Sequence, residues 1–167
     1  MKVAGNAAAK AIAAGSSTSE AATAAAHALE LASRISKQVK EITSGQNVDP
    51  LINYRTQEVT GEIISEGFGE DEAFVAGVAI MNVTSITTSK KALLVAGRAA
   101  ANAIKNGFSP EIAKAAAVQA ATSYLSYPDP FVAQTAANAA ISAISTGQTM
   151  QQASEVASQR VQQITNE

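Results

Sequence analysis

Four glycines, Gly15, Gly67, Gly107 and Gly147, recur along this chain at separations of 52, 40 and 40 residues, and their surroundings recur with them. Ile stands three positions before each glycine, at Ile12, Ile64, Ile104 and Ile144, and Ala stands six positions after, at Ala21, Ala73, Ala113 and Ala153. Upstream, Ala4, Ala96 and Ala136 align, as do Ala7, Ala99 and Ala139, then Ala8, Ala100 and Ala140; the Gly67 copy has Thr56, Val59 and Thr60 instead. A frame of about 40 residues belongs to stacked pairs of helices, because each pair buries its apolar faces only against neighbouring pairs.

The joint has a physical reading. Each glycine suits the residue just past a helix, where a left-handed backbone ends the ladder without a Cβ clash. Two residues later stand Ser17, Gly69, Ser109 and Thr149. All but Gly69 carry a side-chain oxygen able to accept an unpaired amide of a following helix. Glu20, Glu72 and Gln152, three further on, complete capping boxes or supply charge for the helix dipole, while Pro110 instead takes the first helical position after Ser109. Phe68 and Phe108 precede their caps as hydrophobic staples against Ala73 and Ala113.

The expected fold is all-α: about eight helices in four helix-turn-helix repeats of roughly 40 residues, forming a compact bundle or short solenoid. The helices are placed at 3–14, 18–42, 54–66, 70–83, 90–106, 110–125, 130–146 and 150–165 of a single Ala-rich domain, 1–167. The repeat units are then 3–42, 54–83, 90–125 and 130–165. The extra residues between the first two glycines are assigned to a long loop, 43–53, because Thr43 to Pro50 has turn chemistry. Tyr127-Pro128-Asp129-Pro130 is a second strong break. The β-branched run from Val83 to Thr88 is a poor helix former, with a short strand as its minority reading.

Composition explains how such helices pack. Of 167 residues 37 are Ala, and aromatics make up only 4%. Ala favours helix intrinsically and lets helix axes approach closely, so larger groups such as Leu29, Leu31, Ile35, Ile63, Leu93, Leu125, Phe131 and Ile141 are expected to fill the remaining core.

The same composition excludes several functions. A net charge of -2 gives no counterion-displacing surface for nucleic acid. The chain has no Cys, hence no disulfide, thiolate nucleophile or zinc finger. Its longest apolar stretch, Ala73 to Met81, is far short of the ~20 residues of a spanning helix. Met1 to Asn6 shows no evident signal peptide.

Candidate chemistry is sparse. The one histidine, His27, has Glu30 three residues on but no nucleophile constellation near it in sequence, and is read as a surface or groove residue. Glu66, Glu70, Asp71 and Glu72 lack the alternating ligands of a calcium loop and suit a helix N-terminus. Tyr54, Tyr124 and Tyr127 are aromatic handles, the last two at the double-proline corner. Asn82-Val83-Thr84 is a glycosylation sequon, and Lys90 and Lys91 are read as solvent exposed. No catalytic, cofactor-binding or metal-ligating residue is nominated; the structural signals are Gly15, Ser17, Gly67, Gly69, Gly107, Ser109, Gly147 and Thr149.

The expected function is therefore a non-enzymatic structural module that assembles with itself, as tandem copies or by homotypic contact, in a fibre, matrix or filament. The alternative is a helical-repeat module binding a protein or peptide. No nucleic-acid, membrane or cofactor partner is expected. Terminal spacings close to one period suggest a unit of a longer concatemer, and the end helices keep Ala, Ile and Val for end-to-end contact. In its Ala-, Ser-, Gln- and Gly-rich helical composition the chain resembles the globular repetitive modules of some structural silk proteins. That resemblance is one of composition and carries over no residue roles; the structural reading leans toward an extracellular setting without fixing a compartment.

Overall fold

The computed structural model describes residues 2–43 and 49–166, and among them finds eight α-helices and no strand. They are α1 Lys2–Ala13, α2 Thr18–Thr43, α3 Pro50–Ser65, α4 Glu70–Val83, α5 Lys90–Lys105, α6 Pro110–Ser126, α7 Pro130–Ser145 and α8 Met150–Thr165. Each helix packs against those one and two places along the chain; among the described residues none reaches a third neighbour. Short links make successive helices antiparallel, so four hairpins stack in a row, odd helices forming one layer and even helices the other. Accessible surface agrees, at 8821 Å² against roughly 7,700 Å² for a compact monomer of this mass. The architecture is that of a short α-solenoid.

The glycine joints form as their chemistry demands. Gly15, Gly67, Gly107 and Gly147 are the only described residues at positive φ, between 82° and 91°. Each glycine amide donates to the carbonyl of the Ile three residues back, for example Gly107 to Ile104 at 2.8 Å. At Gly15, Gly107 and Gly147 the following amide reaches one residue further, as from Phe108 to Ala103 at 3.0 Å, which closes a Schellman motif. On the far side, Thr149 and Gln152 form a reciprocal capping box, as do Ser17 and Glu20. Ser109 accepts from the Ile112 amide. Gly69 has no side-chain cap, and the Glu72 carboxylate lies where its Cβ would be. The recurring Ala six residues past each glycine is buried in every copy.

Two of the other three joints follow a second rule, and the third, at Ser89, has no side-chain cap. Asp49 and Asp129 cap α3 and α7 through the Leu51 and Phe131 amides, with Pro50 and Pro130 in the first helical position. Caps then fall at Asp49, Gly69, Ser89, Ser109, Asp129 and Thr149, one every 20 residues. The 40-residue frame is thus two turns of a 20-residue helix-and-joint unit. Val83 to Thr88 ends α4 and turns without forming a strand.

Two expectations change. The extra residues of the first repeat do not make a long loop at 43–53: α2 runs for 26 residues against 14 to 17 in α4, α6 and α8, so most of the insertion lengthens a helix. Its continuous Leu31, Ile35, Val39 face gives it tertiary support that local turn chemistry could not predict. At the loop's other end the Asp49 cap starts α3 at Pro50; residues 44–48 lie outside those described. Second, Leu29, Leu125 and Phe131 are exposed, the last at 69%, and do not fill the core.

The core changes character along the stack. No alanine occurs between Ala32 and Ala73, and the hairpins built from that stretch are filled by Ile35, Val59, Ile63, Ile80, Val83 and Leu93, all less than 2% exposed. Beyond α4 most buried positions are Ala, among them Ala96, Ala100, Ala116, Ala120, Ala136 and Ala140, with Val95, Val132, Ile141 and Val161 between them. Two helix glycines sit at close contacts: Val3 of α1 occupies the space beside Gly61, and Ile80 and Ile63 crowd Gly97.

Candidate functional site

The solenoid has two edges. One carries the four glycine joints; the other carries the links α2–α3, α4–α5 and α6–α7. Large apolar side chains are not spread evenly between them. Of the exposed ones, Ile42, Leu51, Tyr54, Ile86, Leu125, Tyr127 and Phe131 all lie on or beside the second edge, leaving only Ile12, Leu29 and Met150 elsewhere. Leu51 and Phe131 are two full periods apart and share one place, the residue after Asp-Pro, so the helix start that Pro enforces aims both outward. Exposed apolar side chains thus mark each of the three links on that edge.

On the odd-helix layer, neighbouring hairpins are tied by charge. Glu58 and Glu62 of α3 and Glu66 at its C-cap, spaced four residues apart, meet Lys90 and Arg98 of α5. Lys90 bridges Glu58 at 3.0 Å and Glu62, Arg55 closes on Glu58 at 3.0 Å, and the Arg98 Nε lies 2.9 and 3.0 Å from the two Glu66 oxygens. Lys90 chiefly holds the Glu58 carboxyl below its ordinary pKa, partly opposed by burial and helped by Arg55. Glu62 and then Glu58 raise Lys90. Lys90 is therefore half-buried and paired rather than solvated, whereas Lys91 is exposed. Sequence spacing could show the acidic stripe on α3 but not its basic partner, which is 32 residues away.

The acidic group splits into structural roles. Glu66 binds Arg98, Glu70 binds Arg34 across to α2 at 2.7 Å, and Glu72 folds over Gly69. Among the described residues no cluster of three or more His, Asp or Glu could hold a metal. No described helix is long and apolar enough to cross a membrane.

His27 is exposed on α2, at the rim of an open groove of about 550 Å³ between the first hairpin and the Gly67 turn. The floor is apolar, with Ala24, Ala28, Leu31, Ile64 and Phe68, and Lys10, His27, Arg34 and Glu70 surround it. Phe68 packs on the core as a staple should, with the Lys105 ammonium 5.8 Å from its ring centre. Tyr124 packs against the core while Tyr54 and Tyr127 are exposed, and Asn82 is exposed near the end of α4.

The two end helices differ. α8 turns Ala153, Ala157 and Val161 inward and leaves Gln151, Gln152, Glu155, Gln159, Gln162 and Gln163 exposed, so its free face is polar rather than apolar as expected. α1 and α2 expose Ile12 and Leu29. Comparison with known proteins found no family model, no curated protein and no solved structure that matches the chain.

Proposed function

We propose that the protein is a non-enzymatic structural module that associates with further copies of itself, the contact being made side by side along the apolar edge. The observation that carries this reading is the gathering of exposed Ile42, Leu51, Tyr54, Ile86, Leu125, Tyr127 and Phe131 on one edge of a chain whose remaining surface is mostly polar or small. Apolar patches of this kind on a soluble domain usually mark contact surfaces. The polar outer face of α8 argues against end-to-end stacking through that helix and so favours lateral contact. Sedimentation velocity over a concentration series tests the idea. Reversible association that is lost in a Leu51→Glu/Phe131→Glu variant is expected; a wild-type chain that stays monomeric up to millimolar concentration refutes it.

A second reading, a peptide-binding helical repeat, is favoured by the groove between Leu31, Ile64 and Phe68, whose volume lies in the range of ligand sites. Here the chain would be monomeric, and Phe68→Ala would abolish capture of a peptide selected from a display library while leaving sedimentation unchanged.

A further inference from the structure

We infer that a resident water molecule is bound in the seam where the lengthened α2 lies against α3 and α4, held by the hydroxyls of Thr60 and Thr56. Thr60 is only 4% exposed, and its Oγ1 is the one buried side-chain polar atom among the described residues with no hydrogen-bond partner. An unpaired buried hydroxyl is costly and rare, and ordered water is the usual remedy.

The space for it is present. A pocket lined by Ile35, Val39, Thr56, Thr60 and Met81 offers about 20 Å³, above the roughly 10 to 15 Å³ that one water needs. Two features set the chemistry of this seam. Gly77 of α4 has no side chain, and the Thr60 Oγ1 lies 3.3 Å from where its Cβ would stand. The residues aligned with Thr56 and Thr60 are Ala in the other three repeats, so a face that elsewhere is methyl becomes hydroxyl here.

Hydrogen-bonding capacity is present too. Thr56, also 4% exposed, donates only to the Met81 sulfur at 4.0 Å, a weak partner that leaves its oxygen lone pairs open. Asn53 and Gln57 stand on the same pocket wall one turn of α3 away, which supplies further partners for a water that needs two to four. Apolar Ile35 and Val39, from α2, cover the site on the other side. The short α4 and α6 have no such extension, so the hydration site belongs to the insertion.

The test is water-selective nuclear Overhauser spectroscopy of the isotope-labelled wild-type chain. Cross-peaks from a long-lived water to the Thr60 and Thr56 methyls are expected in the wild type, and the Thr56 cross-peak is expected to be retained in Thr60→Ser and lost in Thr60→Val. With its water lost, Thr60→Val is expected to melt about 2 to 4 °C lower, the shift of one ordinary hydrogen bond in a chain of this size. Absence of these cross-peaks in the wild type overturns the proposal whatever the variants do. So does a Thr60→Val chain that melts higher, since removing an unpaired dry hydroxyl relieves a desolvation penalty.

Discussion

Three glycines in this chain should respond to alanine in three different ways, because the structure isolates three different costs. At Gly107 φ is +82° and a Cβ would meet nothing within 4 Å, so the penalty is purely conformational. A left-handed L-residue costs roughly 1 to 2 kcal/mol, partly offset by the entropy Ala removes from the unfolded chain, leaving about 1 kcal/mol of destabilisation. At Gly97 the backbone is helical, but a Cβ would stand 2.8 Å from Ile80 Cδ1 and 3.3 Å from Ile63 Cδ1. Overpacking of about 1 to 3 kcal/mol is then set against a gain of about 1 kcal/mol in helix propensity. At Gly5, in α1, the space is open and the backbone helical. Gly5→Ala should stabilise by roughly 0.5 to 1 kcal/mol. Urea midpoints rank the three, and two rescues separate the mechanisms. Ile80→Val, which removes the crowding Cδ1, should rescue Gly97→Ala and leave Gly107→Ala unchanged. Replacing Gly107 with Asn, which tolerates the left-handed region, should cost less than replacing it with Ala. A Gly107→Ala chain as stable as the wild type would refute the reading of these glycines as backbone-imposed helix stops.

Other substitutions probe the packing and the charges. Ala100→Phe and Ala140→Phe, both at fully buried positions, should each lose about 1 to 3 kcal/mol or more in denaturant titrations; unchanged midpoints would disprove close packing there. Because the Glu58 pKa is depressed in the folded chain by Lys90, its pairing contributes stability above the ordinary carboxylate range, and that contribution disappears as pH falls through the folded value. Glu58→Gln should therefore flatten the acid side of the stability profile, from the ordinary carboxylate range downward, and an identical slope in the variant would remove Glu58 as a cause. Thr149→Ala breaks the capping box of α8 at about 1 kcal/mol, and hydrogen exchange should quicken in α8 with α3 unaffected.

The joints were legible because they are local: a glycine forced to positive φ, a capping oxygen two residues on and an Ala six on are all fixed by backbone chemistry. The helices between them could be placed to within a residue or two for the same reason. The exception is the start of α3, where Asp49-Pro50 has the form of a cap followed by a first-turn proline but sits in a stretch, Thr43 to Pro50, whose turn chemistry also suits a loop. The fate of the first repeat's extra residues was not legible, since Leu31, Ile35 and Val39 extend α2 only by burying a face against α3 and α4. Lys90 looked solvated because its carboxylates come from another hairpin. The apolar edge was hidden for a geometric reason: Leu51, Ile86 and Phe131 are far apart in sequence and share an edge only once the helices alternate in direction.

Contacts that never skip beyond the second neighbour have a consequence for how the molecule comes apart. Among the described residues no element clasps the two ends together, so loss of order at α8 withdraws support from α7 and α6 alone, and damage spreads stepwise like a zip rather than collapsing the whole at once. The methyl-lined hairpins at that end have few bulky anchors to arrest the front, whereas the isoleucine-rich hairpins of α3 and α4 do. Progressive opening from the carboxyl terminus, halting near Leu93, is the unravelling this construction dictates.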